Sequence, residues 1–304
     1  MNFQENTALD EVLTALFLPY KKSVTDVEKI TKAMVAANII ADENEIVNDH
    51  IAFRTLGVPN LGIASFEKIF LHYGYTKMDY YHFPEKKLDA YWYAPPSPEY
   101  PRIFISELRV GDLSKEAQKV IGKYTAEITV DPIDTFSLND TKAVGNFFYE
   151  PLWQLPTLHD YQLLSKESEY AAWVIYNRYY LNHYTISVHE LPEPYNSLEA
   201  FNVFLEDIGI VLNSSGGKIK TSKDGLLRQT SSVAKMVEAT FANNEKMKIS
   251  GSYVEFAERS ILPEYKSLAK EKIQRKHRRE GFEAANADKI FESTYNEQTL
   301  KNTK

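Results

Sequence analysis

The chain has 304 residues, 43% of them hydrophobic and 13% aromatic, with no cysteine and a formal net charge of −7. That is enough chain to bury one large core or two fused modules; disulfides and thiolate chemistry are excluded, so any metal must be held by His, Asp or Glu. The acidic balance argues against nucleic acid as the main partner, and without an apolar run of about 18 residues or an export signal the expectation is a cytoplasmic chain with no membrane span and no oligomeric state implied.

Residues 1–46 form a helical N-terminal segment. Leu9, Val12, Leu13, Leu16 and Phe17 make one apolar stripe and Val27, Ile30, Met34 and Val35 another, with Pro19 expected to interrupt between them. A first module, residues 47–111, opens on a strand from Val47 to Leu56 that alternates with period two. Ile51 and Phe53 take one face; His50, Ala52 and Arg54 take the other. Taken alone, such a histidine is more often a hydrogen-bonded core residue than a ligand. Apolar spacing then predicts a helix from Ile63 to Tyr73, capped by Gly74, and strands over Thr76–Phe83, Leu88–Ala94 and Ile103–Arg109.

Residues 112–180 match neither module. They read as a helical, aromatic-rich insertion, with a helix from Leu113 to Tyr124 capped by Ser114 and another from Tyr170 to Tyr180. This insertion is either a plain helical subdomain or a lid that keeps water off a site.

A second module, residues 181–260, repeats the design of the first. The strand Asn182–His189 puts His183, Thr185, Ser187 and His189 on one face, and a helix capped by Gly209 follows. From His50 to Gly74 is 24 residues and from His183 to Gly209 is 26, which marks a degenerate internal repeat. Strands are expected at Leu226–Ser232, Met236–Ala242 and Tyr253–Ala257, so each module reads β-α-β-β-β. Residues 261–304 read as a charged helical C-terminal tail, with Arg275-Lys276-His277-Arg278-Arg279 on a solvated face.

The expected fold is α+β: two β-α-β-β-β modules curling into an incomplete barrel, with helical additions. His50 and His183 would then face one cavity, and Glu255, on the last strand of the second module, would complete a three-point set. Two histidines and one carboxylate on one face of a divalent metal suit a non-haem Fe(II) oxygenase. Glu107, at the pseudo-symmetric place of Glu255, is the competing ligand and would suit a glyoxalase-like isomerase. His82, on the second strand of the first module, is a candidate for the cavity mouth, His189 lies too far along its strand, and Glu238 alternates suitably on its own.

The segments Asn48-Asp49-His50-Ile51-Ala52-Phe53-Arg54-Thr55, Ile105-Ser106-Glu107-Leu108, Asn182-His183-Tyr184-Thr185, Leu226 to Ser232 and Tyr253-Val254-Glu255-Phe256-Ala257-Glu258-Arg259 resemble the 2-oxoadipate dioxygenase/decarboxylase (2-hydroxyglutarate synthase) family of the vicinal-oxygen-chelate superfamily. The resemblance implies Fe(II), or another divalent metal in its place, held by His50, His183 and Glu255. It implies substrate contacts from Arg54, Gln229 and Ser231, with Arg54 on the distal carboxylate. The implied reaction takes a 2-oxo dicarboxylic acid and O2, releases CO2 and hydroxylates the same molecule, 2-oxoadipate giving 2-hydroxyglutarate in lysine catabolism. The alternative is a metal-dependent isomerase, lyase or hydrolase on the same fold.

Overall fold

In the computed structural model, which describes residues 7–303, the two N-terminal stripes form helices α1 (Ala8–Ser23) and α2 (Thr25–Ala36). Residues 1–6 and 304 of the flanking segments lie outside the described residues. Pro19 does not interrupt; it sits inside α1. The break comes at Val24, where the Ser23 hydroxyl has turned back onto the carbonyls of Pro19 and Tyr20.

The first module follows the sequence pattern closely: β1 (Asn48–Leu56), α3 (Ile63–His72), β2 (Thr76–Phe83), β3 (Leu88–Ala94) and β4 (Arg102–Leu108). The insertion supplies α4 (Lys115–Thr125), α5 (Thr141–Phe147), α6 (Leu158–Glu167) and α7 (Glu169–Asn177). The second module runs β5 (His183–Ser187), α8 (Leu198–Asp207), β6 (Lys220–Thr221), β7 (Leu227–Ser231), β8 (Met236–Thr240), β9 (Lys246–Ser250) and β10 (Tyr253–Arg259). Helices α9 (Ala284–Phe291) and α10 (Asn296–Thr299) close the described chain.

Eight strands share one sheet in the order β2-β3-β4-β1-β5-β10-β7-β6, curled as a half-barrel. Within each half the first strand pairs parallel to the last, β1 with β4 and β5 with β10, and the halves meet antiparallel at β1 and β5. The expected α+β architecture of two modules is therefore present. The strand assignment inside the second module needs correction. Met236–Thr240 does not join the sheet; it pairs only with β9, in a hairpin that leaves the sheet between β7 and β10. The equivalent of β2 is the two-residue β6, too short to leave a period-two signal.

Both faces of the central strands are buried, for different reasons. On the convex face Phe53 meets Phe66 and Phe70 of α3 at ring distances of 4.8 and 5.6 Å, Tyr184 meets Phe17 of α1 at 5.2 Å, and Phe256 meets Phe201 of α8 at 5.5 Å. Each such ring contributes roughly 1.5–3 kcal/mol by leaving water. That apolar underside pins the register of β1, β5 and β10, and the register decides which side chains face the concave side.

The C-terminal segment is solvated only in its first part: residues 261–280 are exposed or half-buried, and from Gly281 on the chain packs inward. Phe282, Asn286, Ile290, Phe291, Ser293 and Thr294 are all buried. Part of its basic run is paired with protein: Arg279 with Asp224 and Arg278 near Glu190, while Glu280 pairs with buried Arg102. The segment crosses the concave face and roofs it.

Glu107, the rival ligand, has a structural place. Its carboxylate accepts from the Ile63 backbone N–H at 2.7 Å, at the start of α3. Gly62, the N-cap, has φ +85° and ψ −165°, a region essentially restricted to glycine, and a Cβ there would lie 2.1 Å from Glu107 Oε2. Gly62→Ala is expected to cost on the order of 2–4 kcal/mol through strain and the lost helix contact. Urea unfolding measures it, and a midpoint equal to that of the parent would refute this role for Glu107.

Candidate metal centre

The sheet register brings three ligand types together. On the concave face β5 lies between β1 and β10, with Thr185 opposite His50 on one side and opposite Glu255 on the other. His183 is one pleat repeat away, opposite Ala52 and Tyr253. His50, His183 and Glu255 each offer a ligand atom, all within 4.8 Å of one another, and all three residues are buried. Glu255 Oε2 lies 3.0 Å from His183 Nε2, and Oε1 lies 3.5 Å from His50 Nε2. The Thr185 hydroxyl is also 3.0 Å from His50 Nε2.

Each histidine is oriented by the residue just before it. His50 Nδ1 is 2.8 Å from Asp49 Oδ1, and His183 Nδ1 is 3.1 Å from Asn182 Oδ1. A proton on Nδ1 in each ring leaves both Nε2 lone pairs aimed at Glu255, the tautomer a metal ligand needs. Asp49 is itself held by Arg259, through Nε at 2.6 Å and Nη2 at 2.9 Å, and by Arg102 at 3.3 Å. Rings complete the shell: Tyr253 stacks on His183 at 4.7 Å, and Phe282 meets His50 edge-on at 4.8 Å.

The electrostatics agree with an anionic carboxylate between two imidazoles. Burial alone would raise the Glu255 carboxyl, but the charges and hydrogen bonds of His50 and His183 hold it well below its ordinary range. Burial opposes protonation of both rings. At His50 the Glu255 charge and the Asp49 hydrogen bond win and raise the pKa; at His183 burial wins and lowers it. Burial would likewise raise Asp49, yet Arg259 and Arg102 keep it ionised. Two buried imidazole nitrogens and one buried carboxylate, converging with both Nδ1 positions occupied, fit a divalent cation.

Arg54 is 1% exposed and close by. Nη1 donates to Thr294 Oγ1 at 2.9 Å and Nη2 to the Phe291 carbonyl at 3.0 Å. Tyr170, Trp173 and Phe291 flank the guanidinium at 5.1, 5.2 and 5.8 Å. Nε has no partner, and among the described residues no carboxylate lies within ion-pair distance. Trp173 and Thr294 also line a cavity of about 560 Å³ bounded by α6, α7 and the β8–β9 hairpin. The insertion thus supplies a wall of the site through Tyr170 and Trp173.

Gln229 stands behind Glu255 rather than in the open. Its Nε2 donates to Glu255 Oε1 at 2.7 Å, and its Oε1 accepts from Asn286 at 3.0 Å, so both ends of the amide are occupied by protein. Ser231 bonds Ser293 at 2.8 Å. The other candidates lie elsewhere. His82 is half-exposed and bonded to Asp89, and Glu238 is exposed on the hairpin and paired with Lys246. His189 falls not on the strand but in a short turn after Ser187, accepting from the Arg259 N–H. The residues missed from sequence are Asp49, Asn182 and Arg259, each inside a motif segment quoted above, and Phe282 and Asn286, in the segment read as a charged helical tail.

Residues 12–271 match the model of the family described as 2-oxoadipate dioxygenase/decarboxylase. The chain is 45% identical to the chloroplastic 2-oxoadipate dioxygenase/decarboxylase of Arabidopsis thaliana over 86% of its own length and 72% of that protein. It is likewise 45% identical to the chloroplastic/amyloplastic enzyme of Oryza sativa subsp. japonica, with the same coverage. The crystal structure of hydroxyglutarate synthase from Oryza sativa in complex with 2-oxoadipate superposes with a TM-score of 0.86 at 41% identity, covering 95% of this chain and 92% of that one. Both plant relatives carry plastid designations, chloroplastic in one and chloroplastic/amyloplastic in the other, and this contradicts the cytoplasmic expectation.

Proposed function

The chain belongs to the 2-oxoadipate dioxygenase/decarboxylase family and is a decarboxylating dioxygenase, and from that premise we propose the chemistry of its site. A 2-oxo dicarboxylic acid and O2 are consumed, the C1 carboxyl leaves as CO2, and the acid one carbon shorter is released hydroxylated at C2. For 2-oxoadipate the product is 2-hydroxyglutarate, and atoms balance with no second oxo acid. The observation that carries this reading is the convergence of His50 and His183, on the equivalent first strands of the two modules, with Glu255 on the last strand of the second.

His50, His183 and Glu255 would hold a single divalent iron. Bound there, iron supplies open positions for a chelating 2-oxo acid and for O2, and the electrons that activate O2. The protein does the rest. Asp49 and Asn182 fix the imidazole tautomers, and the Arg259–Asp49 pair keeps a negative charge behind His50. Arg54 takes the distal carboxylate of the substrate, and Tyr170, Trp173 and Phe291 keep water from that ion pair. The cavity beside Trp173 and Thr294 is the approach to Arg54. Ser231, bonded to Ser293 beside β10, is close enough in register to Glu255 to border the substrate.

Glu107 caps α3, so the four-ligand isomerase reading lacks its fourth ligand. The deciding experiment is an oxygen electrode with purified protein, Fe(II), ascorbate and 2-oxoadipate. One O2 consumed per CO2 and per 2-hydroxyglutarate is the expected stoichiometry. Turnover of the acid without oxygen uptake would replace this reading with the isomerase, lyase or hydrolase one.

A further inference from the structure

We propose that Asn286, on α9, is a positioning residue for the metal centre, acting on Glu255 through the amide of Gln229. The inference rests on the reading that His50, His183 and Glu255 bind a divalent metal.

The side-chain amide of a glutamine is nearly symmetric in shape, so turning it over changes its hydrogen bonding and little else. In one sense Gln229 gives Glu255 Oε1 a donor, as seen at 2.7 Å. In the other it sets an amide oxygen against a carboxylate oxygen, two acceptors facing each other in a buried site. Something must select the first sense, and the selection can be traced back to fixed backbone. Asn286 Nδ2 lies 3.3 Å from the Lys220 carbonyl and 3.4 Å from the Leu227 carbonyl. Carbonyls only accept, so this end of Asn286 must be its NH2 group. The same NH2 is 3.0 Å from the second end of the Gln229 amide, which must therefore be oxygen. The remaining end is NH2, and it faces Glu255.

Asn286 and Gln229 are each 2% exposed and Glu255 is 1% exposed, so no solvent can substitute for a missing link. The consequence falls on the carboxylate. Oε1 carries the amide donor, and Oε2 faces His183 Nε2 at 3.0 Å. A ligand carboxylate whose rotation is set by an outer hydrogen bond binds metal more tightly than one left free, typically by 10- to 100-fold. Asn286 lies outside residues 12–271, the part of the chain that matches the family model. It reaches the site only because the C-terminal segment folds back over the sheet.

The test is a double-mutant cycle on metal affinity, read by titrating metal-free protein with Co(II) and following its visible absorption. Gln229→Ala should weaken Co(II) binding by roughly 10- to 100-fold. Asn286→Ala should weaken it by about tenfold, and the double variant should bind as Gln229→Ala does, because Asn286 has no route to Glu255 without the amide. Asn286→Leu keeps the volume and deletes only the amide, and it carries the same expectation if the alanine variant fails to fold. A purely structural Asn286 would give losses that add in the double variant, or parental Co(II) affinity with a lowered melting temperature. Either result overturns the proposal. So does parental affinity in Gln229→Ala, which leaves the metal reading standing. Failure of the parent protein to bind Co(II) would instead remove the metal reading itself.

Discussion

Alanine at His50 or at His183 is expected to abolish oxygen consumption and empty the metal centre while the fold survives. Loss of an outer partner of a metal ligand costs about 10- to 100-fold in affinity, so loss of one of three ligands should exceed roughly 100-fold. The fold should persist because neither change strands a buried charge. Asp49 would keep Arg259 and Arg102, and Glu255 would keep Gln229 and the remaining histidine. Elemental analysis after reconstitution with Fe(II), alongside an oxygen electrode and far-UV dichroism, checks all three statements. Full occupancy with normal turnover in both variants would refute the ligand set.

What the sequence disclosed and what it hid divide along a physical line. The faces of β1 and β5 were legible because side chains alternate, and a histidine strand with an apolar underside has few other solutions. From them the modules, the half-barrel and the three converging residues followed. Pairing partners were less legible. Met236–Thr240 has a strand's pattern and is a strand, but periodicity does not say which sheet it joins, and here it pairs only with β9. The C-terminal segment misled for a different reason. Its arginines look solvated because charge runs usually are, yet Arg275 donates to the Pro98 and Tyr100 carbonyls and Arg279 to those of Glu280 and Phe282. The Arg275 contacts span 177 and 175 residues and leave no local trace in the sequence. Asp49 and Arg259 stood in plain view in their motifs, but their pairing is a property of the closed sheet.

Arg54→Met is expected to cripple turnover of dicarboxylic 2-oxo acids while metal content stays normal. A guanidinium taken out of water costs free energy unless an anion compensates it. Arg54 is 1% exposed, donates to Thr294 Oγ1 and the Phe291 carbonyl, lies against Tyr253, and has no carboxylate within ion-pair distance among the described residues. Its positive charge even reaches the ligand set, helping to lower His183 after burial itself. A buried guanidinium with no carboxylate in ion-pair contact suits a site for a substrate with a second carboxylate. Removing a charge-assisted bidentate partner should cost on the order of 2–5 kcal/mol of transition-state binding, or roughly 30- to 5000-fold in kcat/KM at about 1.36 kcal/mol per decade. Methionine should leave the fold sound, since the Thr294 hydroxyl already lies 3.4 Å from the Phe291 carbonyl and each can satisfy the other. A 2-oxo acid with the same six-carbon chain, about as long as 2-oxoadipate but lacking the distal carboxylate, has nothing for Arg54 to hold and should lose far less. Steady-state kinetics on the two acids decides the matter. An equal proportional loss for both would make Arg54 a structural residue and leave the distal carboxylate without its partner.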